Sequence, residues 1–249
     1  KGDPTLHEED FERFATELKT QGIHKVKGDL IGDDSWFDDE RLSEDMTWKN
    51  EVYYVGAQVS ALTASPNSDY DAGSIIVEAN AGTAAGDPAK VSLTPETDYV
   101  TITNKAQTVA AGEPKTLSIT RDHGTNEIIV EGNIPEQGTR TREWIAVDEP
   151  SGYALSLFEK ALGNEGIELI GNSETKMGIT PEDSDMLLDH QAGDMRSARL
   201  AASGNLFQFL LRDDYSQRGQ FFQNLSVPFN SPCLQAGQPV AQSLMPRVN

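Results

Sequence analysis

Phe11, Phe14, Ala15 and Leu18 fall at i, i+3, i+4 and i+7 with charged residues between them. This spacing predicts a helix with one buried face, stopped at Gly22. Val26, Leu30 and Ile31 then predict a short strand over 24–31. An acidic stretch over 33–40 follows, with Trp36 and Phe37 inside it as anchors to the core. Next comes Glu51–Thr63, rich in Tyr, Val and small residues, closed by the turn-like Ser65-Pro66-Asn67-Ser68.

From 73 to 133 the pattern changes to β-branched alternation. It recurs in Ser74–Glu78, Lys90–Leu93, Tyr99–Thr103 and Thr116–Thr120, with Gly, Pro and Asn between. Thr116–Thr120 and Glu127–Glu131 flank Asp122-His123-Gly124-Thr125-Asn126 and predict a hairpin. Helical spacing is missing from this stretch and returns only after a strand at Glu143–Val147. There Ser151 is the expected N-cap of a helix carrying Tyr153, Ala154, Leu157, Phe158 and Leu162, closed by Gly163 and Gly166. A strand over Ile167–Ile170 completes a second helix–strand pair. The expected fold class is α+β: a mixed α/β domain made of 1–72 and 146–183, with an all-β domain, 73–145, nested inside it.

Charge adds a boundary. The chain has 249 residues, 20 Lys+Arg and 40 Asp+Glu, for a formal charge of −20. Such an excess of acid excludes a nucleic-acid binder that works by neutralising phosphates. Beyond Lys176 there is no Lys and beyond Glu182 no Glu, while residues 191–249 hold five Arg, three Asp and eight Gln. The shift marks 184–249 as a divergent C-terminal segment and fits a shifted reading frame or a replaced C-terminus. No apolar run approaches the roughly 18 residues of a membrane span. Cys233 is alone, so one chain builds no disulfide and no cysteine metal site.

The candidate chemistry is sparse. The acidic run 33–40 is expected to be a solvated turn, since neither spacing nor a His partner arranges it around an ion. Asn67-Ser68-Asp69-Tyr70-Asp71-Ala72-Gly73 resembles the start of a calcium loop, but its Gly falls at the seventh place instead of the sixth. A plain turn leading into a strand is expected there. His7, His24, His123 and His190 form no catalytic spacing. Neither a metal nor a cofactor is expected. Ser173-Glu174-Thr175-Lys176 matches the Ser-x-x-Lys pattern of serine acyltransferases, which on a helix sets the amine one turn from the hydroxyl. Here it is expected in a polar loop. Ser203-Gly204-Asn205 matches the Ser-x-Asn element of the same class and precedes an apolar run, Leu206–Leu211, that could form a helix. The third element, Lys-Thr-Gly, does not occur in the sequence.

Several stretches recur together in a known family. They are Gly2-Asp3-Pro4-Thr5-Leu6, Lys27–Asp34 with Trp36-Phe37-Asp38, Gly56–Thr63, Gly124-Thr125-Asn126, Gly132-Asn133-Ile134-Pro135, and Glu149-Pro150 with Tyr153-Ala154. In this order they resemble the low-molecular-mass class C penicillin-binding proteins, the S13 D-alanyl-D-alanine carboxypeptidase/endopeptidases of bacterial cell walls. The resemblance covers residues 1–190 and fails after His190. It implies an interrupted transpeptidase-like fold of which this chain holds mainly the inserted domains, downstream of the nucleophile. It also implies peptidoglycan peptides as partners, β-lactams as ligands of the complete protein, and a place outside the cytoplasm. Ser203 and Asn205 stand near the place of the family's Ser-x-Asn. Trp48, Asn50 and Tyr54 look like the patch that recognises the diamino-acid side chain of the stem peptide, with Asn50 where an Asp is usual and Val55 where a Tyr is usual. The chain alone is expected to be inert; the alternative is a non-catalytic wall-binding or protein-interaction module.

Overall fold

The computed structural model describes residues 3–38, 40–44, 46–176, 185–191, 197–203 and 206–212. The first helix, α1 (Glu8–Thr20), buries Phe11, Phe14, Ala15 and Leu18, the four residues of the predicted face. At its start the His7 amide donates to the Asp10 carboxylate at 3.0 Å. The second helix, α2 (Pro150–Asn164), buries Tyr153, Ala154, Leu157, Phe158, Ala161 and Leu162. It begins one residue before the expected cap: Pro150 takes the first helical place, where its missing N–H costs nothing. Glu149, with φ +57°, is the cap, and Ser151 lies within the first turn. The two helices pack side by side, with Phe11 and Phe158 ring centroids 6.2 Å apart. Each such ring contributes about 1.5–3 kcal/mol by leaving water. Lys19 with Glu165 and Lys160 with Glu8 rim the contact, where exposed pairs add little.

The strand expected over 24–31 is two strands, β1 (Lys25–Val26) and β2 (Leu30–Asp33). The break comes at Gly28, φ +127°, whose carbonyl lies 2.1 Å from where a side chain on Gly171 would begin. The backbones at 28 and 171 approach too closely for a side chain at Gly171. Before this point β1 pairs in parallel with β11 (Glu168–Leu169), and after it β2 pairs in parallel with β12 (Ser173–Lys176). The Ser-x-x-Lys segment is therefore an edge strand, not a polar loop. On its other side β2 pairs in parallel with β15 (Leu206–Arg212), which continues antiparallel to β14 (Ser197–Ser203) and β13 (Asp185–Gln191). The apolar run 206–211 is thus a strand and not a helix, the ambiguity that a short apolar run always carries. The expected boundary near His190 falls inside β13.

The β-rich stretch forms three small sheets. β3 (Ser74–Asn80) lies between β10 (Thr141–Ala146) and β4 (Lys90–Thr94). β8 (Glu127–Glu131) lies between β5 (Thr101–Asn104), in parallel, and β7 (Ser118–Arg121), its hairpin partner. β6 (Gln107–Val109) pairs in parallel with β9 (Asn133–Pro135). One connected apolar core runs from Phe11 and Phe158 through Ile75 and Val77 to Ile128 and Ile134. Polar stitches reinforce the join. Asn126 donates to the Asp148 carbonyl at 3.0 Å and accepts its amide at 2.8 Å, and the Tyr99 hydroxyl donates to the Glu149 carbonyl at 2.9 Å. Burial, with the carboxylates of Glu149 and Asp148 nearby, pushes that hydroxyl up to about 12.

Candidate functional site: an aromatic patch on a buried ionic mount

Two 3-10 turns, Asn50–Val52 and Tyr54–Gly56, carry Asn50 and Tyr54, and Trp48 stands just ahead of the first. Their backbone hydrogen bonds are local: Asn50 N–H to Thr47 O at 2.8 Å, Tyr53 N–H to Asn50 O at 3.1 Å, and Gly56 N–H to Tyr53 O at 2.8 Å. This tight coil is possible because Gly56 has no side chain. A Cβ there would stand 2.1 Å from the Asn50 carbonyl oxygen. Successive side chains then sort by environment. Val52 packs against the core and Glu51 is buried, while Trp48, Tyr53, Tyr54 and Val55 are exposed. Trp48 is 68% exposed, a position at which a large indole gains little from folding. Asn50 is exposed as well.

What keeps the patch outward lies underneath. Glu51, 3% exposed, meets Arg121, also 3% exposed. The Arg121 guanidinium donates to the Glu51 carbonyl at 3.1 Å and lies 3.4 Å from its carboxylate. A second nitrogen of the same guanidinium donates to the Thr125 carbonyl in the β7–β8 turn. On the solvent side, His123 Nδ1 faces the other Glu51 carboxylate oxygen. Tyr53 forms a bridge with Ile145 of β10. Trp48, Asn50 and Tyr54 are thus each exposed, on or just ahead of turns that the β-rich unit supports.

Sequence reasoning missed this support. Its trace was an Arg in phase with a buried Ile: Ile119 and Arg121 both occupy the inward positions of β7. Asp34 was missed in the same way. It is no part of a solvated acidic turn, because its carboxylate accepts the amides of Ala61 and Leu62 and the Ser60 hydroxyl. Burial pushes the Asp34 carboxyl up from its ordinary value, against the pull of these hydrogen bonds. Phe37 is buried as expected of an anchor.

The Ser-x-x-Lys match has no catalytic geometry. Three residues apart on a strand, Ser173 and Lys176 leave opposite faces of β12. The Ser173 hydroxyl donates to Glu159 at 2.6 Å, and Lys176 pairs with Glu174. Ser173 lines an open cleft of about 470 Å³ with Tyr99, Glu149, Glu159 and Glu174. For the Ser-x-Asn match, Ser203 is the last residue of β14 and Asn205 lies outside the described residues. Residues 67–73 form a turn into β3, not the entry to a helix. Among the described residues, no group of three or more His, Cys, Asp or Glu is placed to hold a metal ion, and no helix is long and apolar enough to cross a membrane.

The arrangement of small sheets around two packed helices is the fold of part of a penicillin-binding protein. It superposes on the crystal structure of penicillin-binding protein 4 from Haemophilus influenzae with a TM-score of 0.57, at 22% identity, over 72% of this chain and 38% of that one. In sequence, the D-Ala-D-Ala carboxypeptidase 3 (S13) family model matches residues 1–201. A D-alanyl-D-alanine carboxypeptidase of Actinomadura sp. is 39% identical over 199 residues, which are 78% of this chain and 36% of that protein. The chain belongs to the S13 family, and it spans little more than a third of that relative's length. The family match runs past His190 into β14.

Proposed function

We propose that this chain is the substrate-recognition portion of a serine-type D-Ala-D-Ala carboxypeptidase/endopeptidase that trims peptidoglycan stem peptides outside the cytoplasm. In the complete enzyme a serine attacks the penultimate carbonyl, an acyl-enzyme forms, and D-Ala leaves carrying the proton. The chain contributes a surface for the diamino-acid side chain. The faces of Trp48 and Tyr54 cover its alkyl stem, and the Asn50 amide oxygen accepts from its ammonium. Asn50 offers a dipole and not a charge, so the bond lacks charge assistance from the protein side. The observation that carries this reading is the shared exposure of Trp48, Asn50 and Tyr54, on or just before turns that Glu51 and Arg121 fix from below.

The Ser-x-x-Lys pair of β12 cannot serve as nucleophile and base, because the strand sends the two side chains to opposite faces. In this reading the chain is inert alone, and β-lactam binding belongs to the complete protein. Incubation with a fluorescent penicillin, followed by intact-mass measurement, is expected to leave the mass unchanged. A mass increase by one penicillin would refute inertness. Titration with a stem tripeptide ending in meso-diaminopimelate tests recognition directly: binding weakened by Trp48→Ala supports it, and no binding to the unaltered chain sinks it.

A further inference from the structure

We infer that Arg121, in the β-rich unit, is a positioning residue for the recognition patch: its guanidinium latches the 50–56 turns so that Trp48, Asn50 and Tyr54 face outward together. The inference rests on reading that patch as the recognition surface. A buried Arg is costly to desolvate unless its donors are used; here both terminal nitrogens are used, joining two segments 70 residues apart in the chain, while Nε has no partner among the described residues. One nitrogen reaches the Glu51 main chain and carboxylate, and another reaches the Thr125 carbonyl of the hairpin turn. The Glu51 carbonyl is the telling partner. It belongs to the middle residue of the first 3-10 turn, so the contact fixes backbone and not only a side chain.

The planar fork of donors suits this task, whereas the single ammonium of a lysine cannot span both acceptors. The Tyr53–Ile145 bridge holds the following residue, and His123 closes the exposed side of the Glu51 carboxylate. The nested unit then has a role in recognition without touching the ligand. It sets the turns that carry the patch, and its removal would release them.

The test uses the full chain and the Arg121→Lys variant, which keeps a positive charge beside Glu51. Amide hydrogen exchange over 50–56 is expected to accelerate about tenfold or more, while amides of β3 and α2 change by less than about twofold. Binding of the meso-diaminopimelate tripeptide is expected to weaken about tenfold, with a smaller loss for an otherwise identical tripeptide ending in lysine. Should Arg121→Lys fail to fold, His123→Ala provides the second reading from the exposed side, with about threefold faster exchange confined to 50–56. Unchanged exchange over 50–56, or an equal acceleration in β3 and α2, overturns the positioning role. Accelerated exchange with tripeptide binding unmoved by either Arg121→Lys or Trp48→Ala keeps the latch and overturns the recognition reading beneath it.

Discussion

Helix α1 and the 50–56 turns are held in place by opposite means. α1 lies against α2 through Phe11, Phe14, Ala15 and Leu18, an apolar stripe at helical spacing. The turns are held by one buried carboxylate, one buried guanidinium and a glycine, with large apolar side chains left outside. Apolar burial is non-directional and tolerates a small shift, whereas a hydrogen-bonded charge pair fixes position and is costly when broken. The first mode suits a scaffold. The second suits a surface whose apolar groups must stay available to a ligand.

The contrast breaks most severely in the scaffold. Phe158→Ala removes a fully buried ring and leaves a cavity, and is expected to cost about 3–5 kcal/mol in urea unfolding. Tripeptide affinity of the fraction that stays folded should not change. At Gly56 the order reverses. Gly56→Ala sets a methyl against the Asn50 carbonyl and is expected to cost about 1–3 kcal/mol, with tripeptide binding lost well before global unfolding.

Asp34 lies between the two modes, a partly buried carboxylate that ties the chain at 60–62 to the end of β2. Asp34→Asn keeps one acceptor and is expected to cost about 1 kcal/mol at pH 7. The sign with pH follows from the upward shift. A carboxyl raised in the folded state favours folding when protonated, and that contribution is lost as pH rises through the raised value. The stability advantage of Asp34 over Asn should therefore widen as pH falls from neutral toward the ordinary value of 3.8. Melting temperatures of both proteins across that range check it. The smallest stability effect belongs to the patch: Trp48→Ala should stay within about 0.5 kcal/mol while tripeptide affinity falls.

The same contrast explains what could be read from the sequence. α1, the buried face of α2 and strand Glu127–Glu131 follow from the spacing of apolar residues, which is a local signal. The break at Gly28 depends on Gly171, and the strand at Ser173–Lys176 on its pairing with β2; both are contacts distant in sequence. The apolar run at 206–211 carries no period that separates strand from helix. At the candidate site, the resemblance singled out Trp48, Asn50 and Tyr54, with Asn50 departing from the usual Asp, and the structure places all three at the surface. Glu51 and Arg121 were not legible, because a charge in a polar stretch is ordinarily solvated, and only the fold brings these two together.

On the proposed reading, the patch recognises the stem peptide separably from acyl transfer. Calorimetric titration of the full chain with the meso-diaminopimelate tripeptide, beside Trp48→Ala, tests it most directly. Saturable one-to-one binding to the unaltered chain is expected, weakened at least about tenfold by the substitution through loss of an aromatic anchor. Equal affinities, or no binding heat from either protein, would contradict it.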